Sequence, residues 1–429
     1  TQTQGFQILE DNTVVLKNGT LNVDEDARTA FAMLIQNYAD LTIIDMTLDG
    51  DNLDRYKIKD YNYSYVLSNN CGTVNISGNT NINANPGDEG ENHHGVAFDV
   101  CKYANYEAPV VTVNTTGTIQ GVVEVSAVLN LEAVGTNSIS NIVISGEGQL
   151  YHEVEGIQGT IVKTFENDGD GNAENDWYTL ATPFSHSVNN LQTTSSAYAL
   201  YRYNEAGALW ENVKVGGNNF NTLDLGRGYI YANEETTTVE FKGILNVKPV
   251  TYQLTASSET NLKGFHLVGN PFTHEITMSH LTGATLASGF YVLENDGAWV
   301  SKTNSDKIAA GQAALIKTTE EGDLTIVKNV SSKSREVNNG QLMINVANSR
   351  YNDVAYVSFN KGIGLNKIAH RNAEIPMVYV PVNGENYAVA TMSNEVTEIP
   401  VSFEAKTMGE YTISVEAQDC EFAQMYLID

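Results

Sequence analysis

The chain has 429 residues, too long for one hydrophobic core, so three or four domains of roughly 100–150 residues each are expected. Its 52 Asp and Glu against 24 Lys and Arg give a net charge of −28, and without a basic stripe to displace counterions the chain is a poor partner for nucleic acid or an anionic membrane. It contains no apolar run of 18 residues, so no transmembrane helix is expected, while a signal or lipid anchor removed upstream of Thr1 is compatible with the sequence.

Gly, Asn, Thr, Val, Ile and Tyr dominate and sustained helical periodicity is nearly absent, which makes this an all-β chain. Residues 1–158 carry a loose unit of alternating apolar residues broken by a Gly, Asn or Asp turn. It is seen in V-V-L-K-N-G-T-L from Val14, L-T-I-I-D-M-T-L from Leu41, V-N-I-S-G-N-T-N-I from Val74, V-T-V-N-T-T-G-T-I from Val111 and I-V-I-S-G-E-G-Q-L from Ile142. A strand pair bent once per coil predicts a right-handed parallel β-helix, since each coil can bury its apolar face only against its neighbours. Asn18, Asn75 and Asn114 are expected at turn or ladder positions. The similarity of I-Q-N-Y-A-D-L-T-I (35–43) to L-S-N-N-C-G-T-V-N-I (67–76) predicts a second strand per coil, against a helical reading of Phe31, Leu34, Ile35 and Tyr38.

From residue 159 a longer repeat takes over. L-A-T-P-F (180–184) matches V-G-N-P-F (268–272), Y-A-L-Y-R-Y-N-E-A-G-A-L-W (198–210) matches G-F-Y-V-L-E-N-D-G-A-W (289–299), L-D-L-G-R-G-Y-I-Y (223–231) matches I-A-A-G-Q-A-A-L-I (308–316), and V-E-F-K-G (239–243) matches L-T-I-V-K (324–328). Four blocks in the same order predict a duplication, two small β-sandwich modules over 159–248 and 249–333. Hairpins are expected at Asn204-Glu-Ala-Gly207 and Asn295-Asp-Gly297, with the glycine at positive φ. The P-F-S-H and P-F-T-H tetrads that open each copy are structural on this reading, with the hydroxyl residue and the histidine at the edge.

After the polar linker 331–340, strands V-A-Y-V-S-F, M-V-Y-V-P-V, Y-A-V-A-T-M, I-P-V-S-F-E-A and Y-T-I-S-V-E-A predict an antiparallel Ig-like β-sandwich over 334–429. The ordered set W-Y-T-L-A-T-P-F, L-G-R-G-Y-I-Y, L-V-G-N-P-F, F-Y-V-L-E-N-D-G-A-W and the tail through G-E-Y-T-I-S-V resembles secreted, cell-surface proteins of Bacteroidetes-type bacteria, many of which carry adhesin-like β-helices before such modules. The resemblance covers about 170–429 well and 1–150 only as a general class. It implies extracellular display and an adhesive or glycan-facing role, transfers no catalytic residue, and implies further strands beyond M-Y-L-I-D, so that the last domain is expected to be truncated or processed.

Several clusters bear on chemistry. Asp45, Asp49, Asp51 and Asp54 lie close in sequence, and His93-His94-Gly95 and Arg55-Tyr-Lys57 resemble elements of pectin-cleaving hydrolases, but in the wrong order for that family; solvated loops are the plainer reading. In N-D-G-D-G-N-A-E-N-D (167–176), Asp168, Asp170, Asn172, Glu174 and Asp176 alternate as calcium ligands often do, although Ala173 and Thr179 replace the Gly and Glu of an EF-hand; the plainer reading is an acidic linker. Trp177, Trp210 and Trp299 could stack on sugars but are better read as core. Ser185 with His186 or Ser187, and Thr273 with His274 or Glu275, lack a nucleophile elbow, and neighbours on a strand point to opposite faces. Cys71, Cys101 and Cys420 are read as buried thiols, a Cys71–Cys101 bridge being the alternative.

The expected function is a non-enzymatic, cell-surface adhesin-like protein that binds glycans or proteins of host or neighbouring cells, with no catalytic residue and no cofactor beyond possible calcium. The alternatives are a polysaccharide lyase or hydrolase acting from the β-helix, and a structural surface stalk.

Overall fold

The computed structural model describes residues 4–27, 31–54, 56–58, 61–86, 93–135, 139–169, 171, 176–188, 192–193, 197–215, 220–329, 340–420, 422 and 424–428. Among them there is no α-helix, and the chain is all-β. It divides into two compact units: one of residues 1–164, 238–247 and 272–274, the other of 165–237, 248–271 and 275–429.

In the first unit the chain alternates between two parallel ladders. One pairs Gln4–Ile8, Met33–Asn37, Tyr61–Asn69, His93–Val100, Ile119–Val125, Ile139–Ser145 and Gln158–Phe165 in that order. The other pairs Thr13–Asn22, Asp40–Asp49, Thr73–Gly78, Val110–Thr115, Val128–Ala133 and Gln149–His152. The register of the second ladder follows the repeat read from the sequence: Val14 faces Leu41, Leu41 faces Val74 and Val74 faces Val111. The fifth unit departs from it. Val111 is followed by Leu129 and then Leu150, whereas Ile142 belongs to the first ladder beside Val123. Leu41, Val74, Val111, Leu129 and Leu150 are at most 1 % exposed, each such burial contributing about 1.5–3 kcal/mol.

The bends within the second ladder recur at one register position. Asn18, Asp45 and Gly78 stack in register, all with positive φ (58°, 53° and 66°), the conformation that Asn, Asp and Gly adopt at least cost. A Cβ on Gly78 would sit 2.3 Å from Asp45 Oδ1, which accepts the Asn79 N–H at 2.8 Å, so this corner admits only glycine. Asn75 and Asn114 are exposed on strands, whereas Asn37 and Asn69 are fully buried. Asn37 Nδ2 donates to Ala39 O at 2.9 Å and approaches Asn69 Oδ1 at 3.5 Å, and Asn69 Nδ2 donates to Asp99 O at 2.9 Å. The segment 33–37 is a strand, as the internal similarity predicts, and all three cysteines are free thiols, so Cys71 and Cys101 are not bridged.

Two later stretches join this unit. Thr237–Ile244 pairs with Gln158–Phe165, and Leu245 N donates to Ile157 O at 2.9 Å. Leu150 N donates to Thr273 O at 2.9 Å, while Thr273 Oγ1 donates back to Leu150 O at 2.7 Å.

The duplication appears as matching topology. Trp177–Leu180, Tyr229–Asn233, Tyr198–Asn204 and Leu209–Asn212 form one four-stranded sheet in that order, and Phe265–Gly269, Ala313–Lys317, Phe290–Leu293 and Trp299–Lys302 form another. Leu180 faces Tyr229 as Val268 faces Ala314, the correspondence expected from the aligned blocks. The outer pairs correspond too: Gly322–Ile326 lies beside Val250–Leu254 as Thr237–Ile244 lies beside Gln158–Phe165. Both sheets contribute to one cluster, Trp177, Tyr203 and Ile230 from the first copy with Phe265, Tyr291 and Trp299 from the second. At the hairpins, Gly297 takes φ 86°, but in the first copy Ala208 rather than Gly207 carries the positive φ, at 53°.

The last sheet runs Ser402–Glu404, Met377–Val382, Glu385–Thr391, Asn352–Ser358, Gln341–Ala347 and Thr412–Gln418. Asn383 and Gly384, at φ 51° and 87°, close the two-residue hairpin between Val382 and Glu385. The sheet is not wholly antiparallel, because Asn352–Ser358 pairs with Glu385–Thr391 in parallel. Residues 331–339 of the linker lie outside the described residues.

Candidate functional site

The corners that carry the chain from the first ladder to the second are short: residues 9–12, 38–39, 70–72, 126–127 and 146–148. One is longer, Cys101–Pro109, and it holds Tyr103 and Tyr106. The loop is built rather than loose, since Tyr103 N donates to Asn70 O at 3.1 Å, Tyr106 N donates to Tyr103 O at 3.1 Å and Ala104 adopts φ 49°. It folds back on Tyr38, giving ring centroids 6.0 Å apart for Tyr38 and Tyr103, 5.5 Å for Tyr38 and Tyr106, and 6.3 Å for Tyr103 and Tyr106. Tyr103 is 53 % exposed and the other two rings are half-buried. Burial, then the neighbouring Tyr103 and Tyr106 phenols, raise the pKa of the Tyr38 hydroxyl. Beneath them Cys71 Sγ donates to Tyr38 O at 3.1 Å, and burial, then Glu10 and Asp40, push its thiol up. Asn70, 8 % exposed, has a buried amide Nδ2 without a hydrogen-bond partner.

The carboxylates singled out in the sequence take separate places. Asp45 is a corner residue, Asp49 Oδ1 accepts the Asp51 N–H at 3.2 Å, and Asp54 N donates to Phe31 O at 2.7 Å. Burial, then Asp49, raises the pKa of Asp51. His93 and His94 pair through their backbones with Asn62 and Tyr63, and Lys57 with Asn62; Arg55 and the side chains of His93, His94 and Lys57 lie outside the described residues.

Of the five candidate calcium ligands, Asp170, Asn172 and Glu174 lie outside the described residues. Asp176, at φ 58° and 8 % exposed, accepts the Asp168 N–H at its Oδ2, 3.4 Å away, and Asp168 is exposed. Both the turn and the carboxylate are therefore engaged in closing the loop. Among the described residues no group of three or more His, Cys, Asp and Glu is placed to hold a metal ion. A groove of about 460 Å³ beside this loop is lined by Asp176, Trp177, Tyr198 and Lys214 among others. The chain's own cations cover its rings: Lys214 Nζ is 4.4 Å from the Tyr198 centroid, and the Arg371 guanidinium is 4.0 Å from that of Trp177.

The tryptophans belong to the core, Trp177 and Trp299 buried within one cluster and Trp210 stacked on Trp299 at 6.4 Å. Of the hydroxyl and histidine positions of the two tetrads, three are buried and Ser185 alone is at the edge. Thr273, His274 and His186 are 1 %, 4 % and 7 % exposed, and His274 stacks on Tyr151 at 4.5 Å, so these side chains are packed inside. Ser185 is exposed and its Oγ accepts the Leu225 N–H at 3.4 Å, while Ser187 is paired on its strand with Thr222.

Sequence reasoning missed three polar clusters. Asp99 and Glu124 are register partners on neighbouring parallel strands. Burial raises the pKa of Asp99 to about 8, assisted by Glu124 and opposed by the Asn69 N–H and the Ser68 hydroxyl; burial raises that of Glu124 to about 7. Asp353 pairs with Lys367, lies 3.4 Å from His370 Nε2 and accepts the Val378 N–H at 2.7 Å, with all three side chains at most 3 % exposed. His370 Nδ1 accepts the Trp299 N–H, which leaves its Nε2 proton facing Asp353. Glu205 accepts from Thr255, Ser257, Ser258 and Gly264. Only the parity of Phe98-Asp99-Val100 and Val123-Glu124-Val125, an acid inside an apolar run, signalled any of these in advance.

No protein-family model, curated protein or solved structure matches this chain.

Proposed function

We propose that the chain is a non-enzymatic, extracellular or cell-surface adhesin-like protein that binds glycans or proteins of a host or neighbouring cell. On this reading the two alternating parallel ladders form a right-handed parallel β-helix, the duplicated sheets and the last sheet form sandwich modules that carry it, and the chain is displayed as the Bacteroidetes-type resemblance implies. The observation that carries the reading is the corner loop Cys101–Pro109, longer than its counterparts and presenting tyrosines to solvent. Tyrosine gives large, rigid, amphipathic contact area at low entropic cost, which suits recognition. Calcium at the Asp168–Asp176 loop is a subsidiary part of the proposal, tested by whether chelation lowers the melting temperature.

A polysaccharide-cleaving enzyme is the second reading, favoured by the Asp99–Glu124 pair with its raised pKa values. Against it, Asp99 is 7 % exposed and hydrogen-bonded to Ser68 and to Asn69 N, so a substrate could reach it only after the strand moved. The decisive experiment compares binding to glycan arrays and matrix proteins with release of reducing ends or unsaturated products from polysaccharides. Binding without turnover is expected; turnover abolished by Asp99→Asn or Glu124→Gln would replace the adhesin with the enzyme.

A further inference from the structure

We propose that Tyr38, Tyr103 and Tyr106 form a stacking platform for a neutral polysaccharide, the loop Cys101–Pro109 having been added to a corner that needs only two to four residues elsewhere. This rests on the adhesin reading and names the ligand class and the site.

Three features point to a sugar. A pyranose ring has an apolar face of C–H bonds rimmed by hydroxyls, and it lies well against an exposed phenol ring whose own hydroxyl can take part in the rim. Tyr103 offers such a ring, 53 % exposed, held at a fixed angle by its backbone bond to Asn70 and by contact with the other two rings. The rings are unlike those of Tyr198 and Trp177, each of which lies beneath a cation of the same chain. Asn70, whose backbone carbonyl holds the loop, contributes a buried amide Nδ2 with a hydrogen-bonding valence left open.

Charge selects among sugars. Glu10 and Asp40 lie near enough to Cys71 to raise its pKa, Glu107 and Lys102 are both exposed on the loop and offset one another, and the chain carries −28 overall, so the excess at this corner is negative. An anionic glycan would be repelled from this corner, whereas a neutral one would not.

The test is native affinity electrophoresis of the full chain in gels containing a β-glucan, a galactomannan or a xylan, with polygalacturonate and hyaluronate as anionic comparators. At least one neutral polymer is expected to retard the protein, Tyr103→Ala and Tyr106→Ala to weaken retardation about tenfold or more, and Tyr103→Phe to preserve most of it, all with an unchanged melting temperature. Retardation only by the anionic polymers, or retardation indifferent to both alanine variants, overturns the platform. Binding to matrix proteins or whole cells without any neutral polysaccharide also overturns it, while leaving the adhesin reading intact; binding to none of these overturns both.

Discussion

The Glu205 carboxylate accepts the backbone N–H of Gly264 at 2.9 Å, binding the hairpin of one repeat copy to a loop of the other. Ser258 N, at 3.0 Å, and the Thr255 hydroxyl, at 2.6 Å, complete the clamp, and the residue is 2 % exposed. Burial alone would raise the pKa of Glu205, but the hydrogen bonds from Thr255, Gly264, Ser258 and Ser257 outweigh it and hold the group at about 2. Because the folded value is depressed from 4.5, this stabilisation is present above about pH 4.5 and is lost as pH falls toward 2. Glu205→Ala is expected to cost about 2–4 kcal/mol by leaving backbone donors buried without acceptors. Chemical denaturation at pH 7 and pH 3 measures both: wild type and variant should differ less at the lower pH.

Asp99 and Glu124 carry the opposite sign. Their folded pKa values are raised to about 8 and about 7, so their contribution to stability is full only below the ordinary carboxylate range and is lost as pH rises through 7 and 8. Asp99→Asn removes the larger proton uptake. Its urea midpoint is expected to change less between pH 5 and pH 9 than that of the wild type, and equal slopes for the two proteins would refute the assignment.

Asp353 and Lys367 form an ion pair with both side chains at most 2 % exposed. Removing one partner strands a buried charge, so Lys367→Met alone is expected to cost about 3–5 kcal/mol. Combining it with Asp353→Leu should cost less than the sum of the single changes, since the second removes the charge stranded by the first. A double-mutant cycle of unfolding free energies reads the coupling.

Gly78→Ala combines strain at φ 66° with a Cβ 2.3 Å from Asp45 Oδ1. A loss of about 2–4 kcal/mol is expected. Asp45→Gly in the same chain relieves the clash but not the strain, so thermal unfolding should show partial recovery.

What the sequence disclosed follows from how locally each feature is written. The register Val14, Leu41, Val74, Val111 was legible because each segment repeats an apolar alternation, followed in the first three by a bend at Asn18, Asp45 or Gly78. It was lost at Leu129, which follows Val111 by about half the earlier spacing, so that the similar alternation at Ile142, in the other ladder, fits the period better. The repeat copies were legible because strand and turn signals recur in order. The Asp353, Lys367 and His370 cluster was not, since residues on separate segments meet only through tertiary packing. Glu205 was equally silent, most of its partners being backbone N–H groups that any residue could supply. Of the proposed platform, Tyr38 and the loop tyrosines were visible only as members of an abundant residue type; the fold is what assembled them.

The first unit draws on residues as late as Phe272–His274, and this bears on the order of events during synthesis. When residue 164 has left the ribosome, Leu150 N and the strand Gln158–Phe165 still await Thr273 and Thr237–Ile244. At about 5–20 residues per second, several seconds of translation separate these strands from the segments that pair with them. During that interval the nascent protein exposes an open strand margin, the state in which a chaperone or a neighbouring nascent chain has its best opportunity to bind.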